Sequence, residues 1–413
     1  MLHEQRGRVP DLAATERDAA DERLLDLFAS KPTDDVLSHP DAGRVPLHAA
    51  QCILEGLAKE GLDAVRAIPE NGEAGADHGD AAGHGDGERR GGHKRSDARP
   101  GTSTPSGSGP PMDPDEVLAH VDRTEYPWTP KRHVVDEQGH AMSYLDEGKG
   151  PPILFVHGSP TWSYLWRNFV KGLSGKARCI APDQIGFGCS DKPREPAYHT
   201  LERHILNLTS LMRGLDTEPV TLVVQDWGGP IGLGWAVRHP QKVARIVLLN
   251  TWGMRPDGLL KLPLLFRLAR SPGLGEIIIQ KHNQYLERVL PMGVADKKRL
   301  TPKLMQAYRA PFPFPDDRVA ILRFVRMVPE RMGDESYDIL GEIEAGLAKL
   351  DVPVKIVWAR KDPAFGMRIA HRFADLLPQA DPKDIVQLPD ASHFLQEDAH
   401  EKIVPEIAGF IGR

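Results

Sequence analysis

The run Val223-Val224-Gln225-Asp226-Trp227-Gly228-Gly229 constrains this chain more than any other. An apolar strand ends there and a Gly-rich helix, Pro230-Ile231-Gly232-Leu233-Gly234-Trp235-Ala236, begins at once. So sharp a strand-to-helix turn needs small residues around it, and it projects the residue at its tip above the sheet. That residue is Asp226, a carboxylate where such elbows often carry serine. Asp-x-Gly on its own reads equally well as a helix cap. The complete elbow points instead to a nucleophile that can displace a leaving group from saturated carbon and leave an ester for water to cleave.

Around the elbow, short apolar runs alternate with helix-like segments, the pattern of a mainly parallel sheet with crossover helices. Strands are predicted over 152–157, 177–182, 220–225, 243–249, 354–358 and 384–388, with an antiparallel opening pair over 131–135 and 140–145. Eight strands result. Between about 253 and 348 the strand signal vanishes, and helical spacing appears over 259–268, 277–289, 302–308 and 319–328. This segment is expected to form a helical cap over the C-terminal strand ends, where ligands bind in such sheets.

Two residues downstream complete a constellation. Asp362 follows the strand at 354–358 in Ala359-Arg360-Lys361-Asp362-Pro363, and His393 follows the last strand in Asp390-Ala391-Ser392-His393-Phe394. Nucleophile, acid and histidine in that chain order belong to the α/β-hydrolase pattern. Upstream, Phe155-Val156-His157-Gly158-Ser159-Pro160-Thr161-Trp162 follows the strand that supplies part of an oxyanion hole in that fold. The backbone N–H groups of Ser159 and Trp227 are the candidate donors. His157 is expected to shape the turn.

The remainder bounds the problem. With 40% hydrophobic residues among 413, the chain can build a large core, and a net charge of -6 with dispersed Lys and Arg gives no case for nucleic-acid binding. Three cysteines without CxxC spacing argue against a disulfide framework or a structural zinc site. The first residues lack the apolar core of a signal peptide, and no run approaches the length of a membrane span. A cytoplasmic protein without cofactor or metal is the expectation. Residues 1–112 read as a largely disordered extension, because 70–111 are almost entirely Gly, Ala, Asp, His, Arg, Ser and Pro. His78, His84 and His93 within it fit no closed metal site. Residues 113–413 form the catalytic domain.

From about residue 115 onward the chain resembles the haloalkane dehalogenases, through Ala181-Pro182-Asp183-Gln184-Ile185-Gly186-Phe187-Gly188, the elbow, and the Asp362 and His393 loops. The resemblance implies that Asp226 attacks a halogen-bearing carbon, that His393 activates water against the ester, and that an acid orients His393. The family places this acid after either of two strands; here the earlier position holds Asn250, whose amide cannot balance an imidazolium, so Asp362 is the acid. Trp227 matches one halide donor. The second is usually Asn, where this chain has Ser159, or a Trp from the helical cap, where this chain has only Trp252 at the edge. A serine is a shorter donor, and losing one hydrogen bond to a charged group costs about 1.5–3 kcal/mol. The same Asp-His pair also suits β-lactone decarboxylases and epoxide hydrolases, with Tyr285, Tyr308 and Tyr337 as cap hydroxyls for the latter; an intact triad argues against a non-catalytic receptor. A small apolar substrate is expected, and oligomeric state is not legible. The run Ala310-Pro311-Phe312-Pro313-Phe314-Pro315 reads either as a rim of the pocket or as a rigid packed loop.

Overall fold

Each apolar run forms its strand in the computed structural model, which describes residues 112–256, 258 and 264–412. The expected N-terminal extension lies outside them, apart from Met112. The strands are β1 (Lys131–Val134), β2 (Ala141–Glu147), β3 (Pro152–Val156), β4 (Arg178–Pro182), β5 (Val220–Asp226), β6 (Val243–Thr251), β7 (Val354–Ala359) and β8 (Val386–Leu388). They form one eight-stranded sheet in the order β1-β2-β4-β3-β5-β6-β7-β8. Only the pairings β1 with β2 and β2 with β4 are antiparallel. The fold is the expected α/β-hydrolase architecture.

β3 and β5 are buried along their whole length. Parallel strands covered by helices on both faces need such unbroken Val, Ile and Leu runs, and each fully buried aliphatic side chain stabilises the fold by about 1.5–3 kcal/mol. The chain leaves β3 for β4 on one side, then crosses to β5 on the other. Strand order therefore reverses between β3 and β5, opening a crevice at their carboxyl ends.

Between β6 and β7 the described chain is helical, as expected, and carries the helices Leu264–Arg270, Pro302–Arg309, Val319–Met327 and Tyr337–Leu347. Thr301 caps the second by accepting the Leu304 N–H, with Pro302 in its first turn. The third is buried on nearly every side. Its Phe324 packs on Phe187 and Trp227 at 4.8 and 5.2 Å between ring centres, which fixes this insertion against the crevice. One expectation needs correction. Residues 277–289 do not form a single helix but two π-helical turns, Glu276–Lys281 and Tyr285–Val289. Asn283, between them, has φ +52°, a left-handed conformation that Asn tolerates better than most residues and that ends a helix. Among the described residues no helix is long and apolar enough to cross a membrane.

Candidate active site

Asp226 closes β5 with φ +50°, a strained conformation that costs about 1–3 kcal/mol and turns its carboxylate out of the sheet. The turn can be this tight only because position 228 is glycine: a Cβ there would lie 2.0 Å from the Val156 carbonyl oxygen. Thr251 Oγ1 donates to the Asp226 carbonyl at 2.6 Å, and the Ser159 N–H donates to Oδ1 at 2.9 Å. One carboxylate oxygen is thereby tied to the β3 loop.

The other oxygen faces His393, whose Nε2 lies 3.5 Å from Asp226 Oδ2. On the far side of the ring, Nδ1 stands 2.9 Å from Asp362 Oδ2. The tips of β5, β7 and β8 thus bring together the three residues expected from sequence. Asp362 is fully engaged. Its Oδ1 accepts the N–H groups of Ala364 and Phe365 at 2.8 and 3.0 Å, while Oδ2 also accepts Asn250 Nδ2 at 2.9 Å. Asn250 Oδ1 in turn accepts the Ala359 N–H at 2.7 Å. The Asn250 amide, unsuited to be the acid, therefore holds Asp362 in place, a role with no signal in the sequence. Burial disfavours a charged His393, but Asp362 and then Asp226 outweigh it and raise its pKa to about 10. The imidazolium is stabilised between two carboxylates.

Unpartnered hydrogen-bond donors lie near the elbow. Trp227 is buried against Trp252 and Phe324, and its indole N–H meets no acceptor among the described residues. The Ser159 hydroxyl is buried and unpartnered, and so is the Trp252 indole N–H. Trp252 stood out in the sequence only as a tryptophan at the edge of the insertion. His157 does shape the turn: Nδ1 bonds the Gly158 carbonyl at 2.8 Å and Nε2 accepts the Gln184 N–H at 2.9 Å. Burial lowers its pKa to about 4, so it stays neutral.

The three tyrosines separate. Tyr308 donates to Glu397 at 2.5 Å and Tyr337 lies under the Arg255 guanidinium, 5.0 Å from its ring centre. Tyr285 is different, because burial and then the charge of Asp226 push its phenol above the usual range. The aromatic-proline run is, at its first half, the rigid packed loop of the two expectations. Arg318 braces it through the Phe312 and Pro313 carbonyls and Phe312 is buried on Phe187, while Phe314 is 67% exposed.

The family model for the α/β-hydrolase fold matches residues 151–400. A cis-3-alkyl-4-alkyloxetan-2-one decarboxylase of Xanthomonas campestris is 37% identical over 298 residues, 70% of this chain and 97% of that protein. A haloalkane dehalogenase of Mesorhizobium japonicum is 32% identical over 293 residues, 68% of this chain and 91% of that one. The crystal structure of an ancestral haloalkane dehalogenase superposes with a TM-score of 0.63 at 34% identity, covering 68% of this chain and 98% of its own.

Proposed function

The chain belongs to the haloalkane dehalogenase family of the α/β-hydrolase fold, and from that membership we propose that Asp226 attacks the halogen-bearing carbon of a small apolar haloalkane. The observation that carries the proposal is the line from Asp226 through His393 to Asp362. Oδ1 is held by the Ser159 N–H, so Oδ2 attacks. The carbon–halogen bond breaks, an aspartyl ester forms, and the halide departs toward the donors of Trp227 and Ser159. Esterification removes the Asp226 charge that helps to hold the proton on His393. The imidazolium then loses that proton more readily, and the neutral ring takes one from a water that adds to the ester carbon. The former Oδ1, now the carbonyl oxygen, already lies against its donor as the oxyanion develops. Collapse releases the alcohol and restores the carboxylate, for a net haloalkane plus water to alcohol, halide and a proton.

A second reading has its own support in Ser159, whose hydroxyl stands where the family usually has a longer amide donor, and in a relative that acts on an oxetan-2-one. Asp226 would open the ring at the carbon bearing the ring oxygen, leaving an ester and a free carboxylate. The carboxylate would then leave as carbon dioxide, its bonding pair would form the alkene, and Asp226 would depart intact without water. A screen of bromo- and chloroalkanes against oxetan-2-ones and epoxides separates these chemistries. Halide release is the expected result. Alkene and carbon dioxide with no halide would replace the first reading by the second.

A further inference from the structure

His393 sits in the loop between β8 and the helix Leu395–Ile411, outside any strand ladder, and much of what fixes its backbone comes from the helical insertion. The Phe394 N–H donates to the Gly293 carbonyl at 2.8 Å. A Cβ on Gly293 would lie 2.6 Å from the Phe394 ring and 3.3 Å from His393 Cβ, so the two segments are in direct contact. Asp398 clamps the same junction: its carboxylate accepts the N–H groups of Ala295 at 2.9 Å and Asp296 at 3.0 Å from the insertion, and that of Ser392, beside His393, at 2.8 Å. Arg299 Nη1 donates to the Glu397 carbonyl at 3.1 Å.

Beneath this clamp lies a buried ion pair. Arg167 binds the Glu397 carboxylate through two bonds of 2.6 and 2.7 Å, and Tyr308 of the insertion donates to the same carboxylate. Burial opposes ionisation of Glu397, but Arg167 and then Tyr308 hold its pKa below the ordinary value. Such a pair is costly to break, because either partner alone would be an uncompensated buried charge. The segment 392–398 is therefore tied to both the core and the insertion.

Asp226 shares none of these ties. Its backbone is held by the β5 ladder and Thr251, and its carboxylate by Ser159 and, at 3.5 Å, His393; the Ser159 loop meets the insertion further along, where Trp162 Nε1 donates to the Ala307 carbonyl at 3.1 Å. We infer that the seating of insertion residues 293–299 positions His393 without positioning Asp226, and so controls hydrolysis of the ester separately from its formation. Asp398 and Gly293 are positioning residues for the second step. The inference rests on the two-step reading proposed above. A displacement of about 1 Å in a reacting group slows its step on the order of 100-fold, and residues 293–299 bear directly on the histidine loop.

The test compares full-length wild type, Asp398→Asn, Gly293→Ala and His393→Gln on 1-bromohexane, by rapid-quench halide release and intact-protein mass. Asp398→Asn places an amide N–H against the donors that the carboxylate now accepts. Gly293→Ala presses on Phe394 from the other side. In both, the first equivalent of bromide should appear within about threefold of the wild-type rate. Steady turnover should fall about 10- to 100-fold, with the alkyl ester accumulating on Asp226. An adduct in His393→Gln, combined with wild-type kinetics or equal slowing of both steps in the two positioning variants, overturns the inference and leaves the two-step reading standing. No adduct in His393→Gln overturns both.

Discussion

Asp226 and His393 stand 3.5 Å apart, yet the chain holds them by unrelated means. The elbow is built from neighbours in sequence and from adjacent strands, so its geometry follows from the sheet. The histidine loop has no ladder of its own and depends on Asp362, Gln225 and the insertion. The proposed nucleophile and the proposed base thus have separate supports. One is rigid because the sheet is rigid; the other is only as well placed as the insertion that seats it.

The largest effect expected is chemical and lies on the elbow side. Asp226→Asn should cut steady turnover by about 10^4-fold or more and abolish the ester adduct, read by product release and intact mass. Turnover within tenfold of wild type would remove Asp226 from the first step and dissolve the comparison. Next comes packing. Gly228→Ala drives a methyl group into the Val156 carbonyl, a backbone atom of β3 that cannot swing away. Overpacking costs about 1–3 kcal/mol even where side chains can adjust, so a loss near the top of that range is expected in urea unfolding. Gly293→Ala meets a side-chain ring instead and should cost less; the reverse ranking would show that the histidine loop is the stiffer region.

The last effect is graded with pH, and its sign differs between three buried imidazoles and His393. His157, beside the elbow, and His199 each have a folded pKa lowered by burial from 6.5 to about 4, and that of His204 lies well below 6.5. Between pH 6.5 and 4 the unfolded chain binds more protons. The stability from neutral burial is therefore complete above about pH 6.5 and is lost on acidification, by about 1.4 kcal/mol per pH unit for each histidine. His393 behaves oppositely: with its folded pKa raised to about 10, its contribution is complete below about 6.5 and is lost as pH rises through 10. Urea midpoints should therefore peak near neutrality. A midpoint that stays flat from pH 4.5 to 6.5 would count against neutral, dry imidazoles at His157, His199 and His204.

The same division separates what could be read from sequence from what could not. The strands, the elbow and the loops bearing Asp362 and His393 were legible, because apolar runs, glycines at a sharp turn and residues at strand ends are local patterns. The insertion was legible as helical, but its π-helical turns and left-handed Asn283 were not, since spacing alone does not distinguish a wide turn from a regular one. Asn250 is more instructive. Sequence reasoning rejected it as the acid and could go no further, whereas its amide bonds Asp362, 112 positions away.

By itself, then, the sequence determined the sheet, the chemical identity of the candidate nucleophile and the order of its partners. Tertiary structure alone decided how those partners are held. Arg167 and Glu397 are 230 residues apart, and neither Gly293 nor Asp398 announces a partner in its own neighbourhood. The physical reason is range. Turns and strands are written by steric and apolar preferences over a few residues, whereas seating a histidine takes hydrogen bonds between segments that meet only after the sheet has formed and the insertion has folded back upon it.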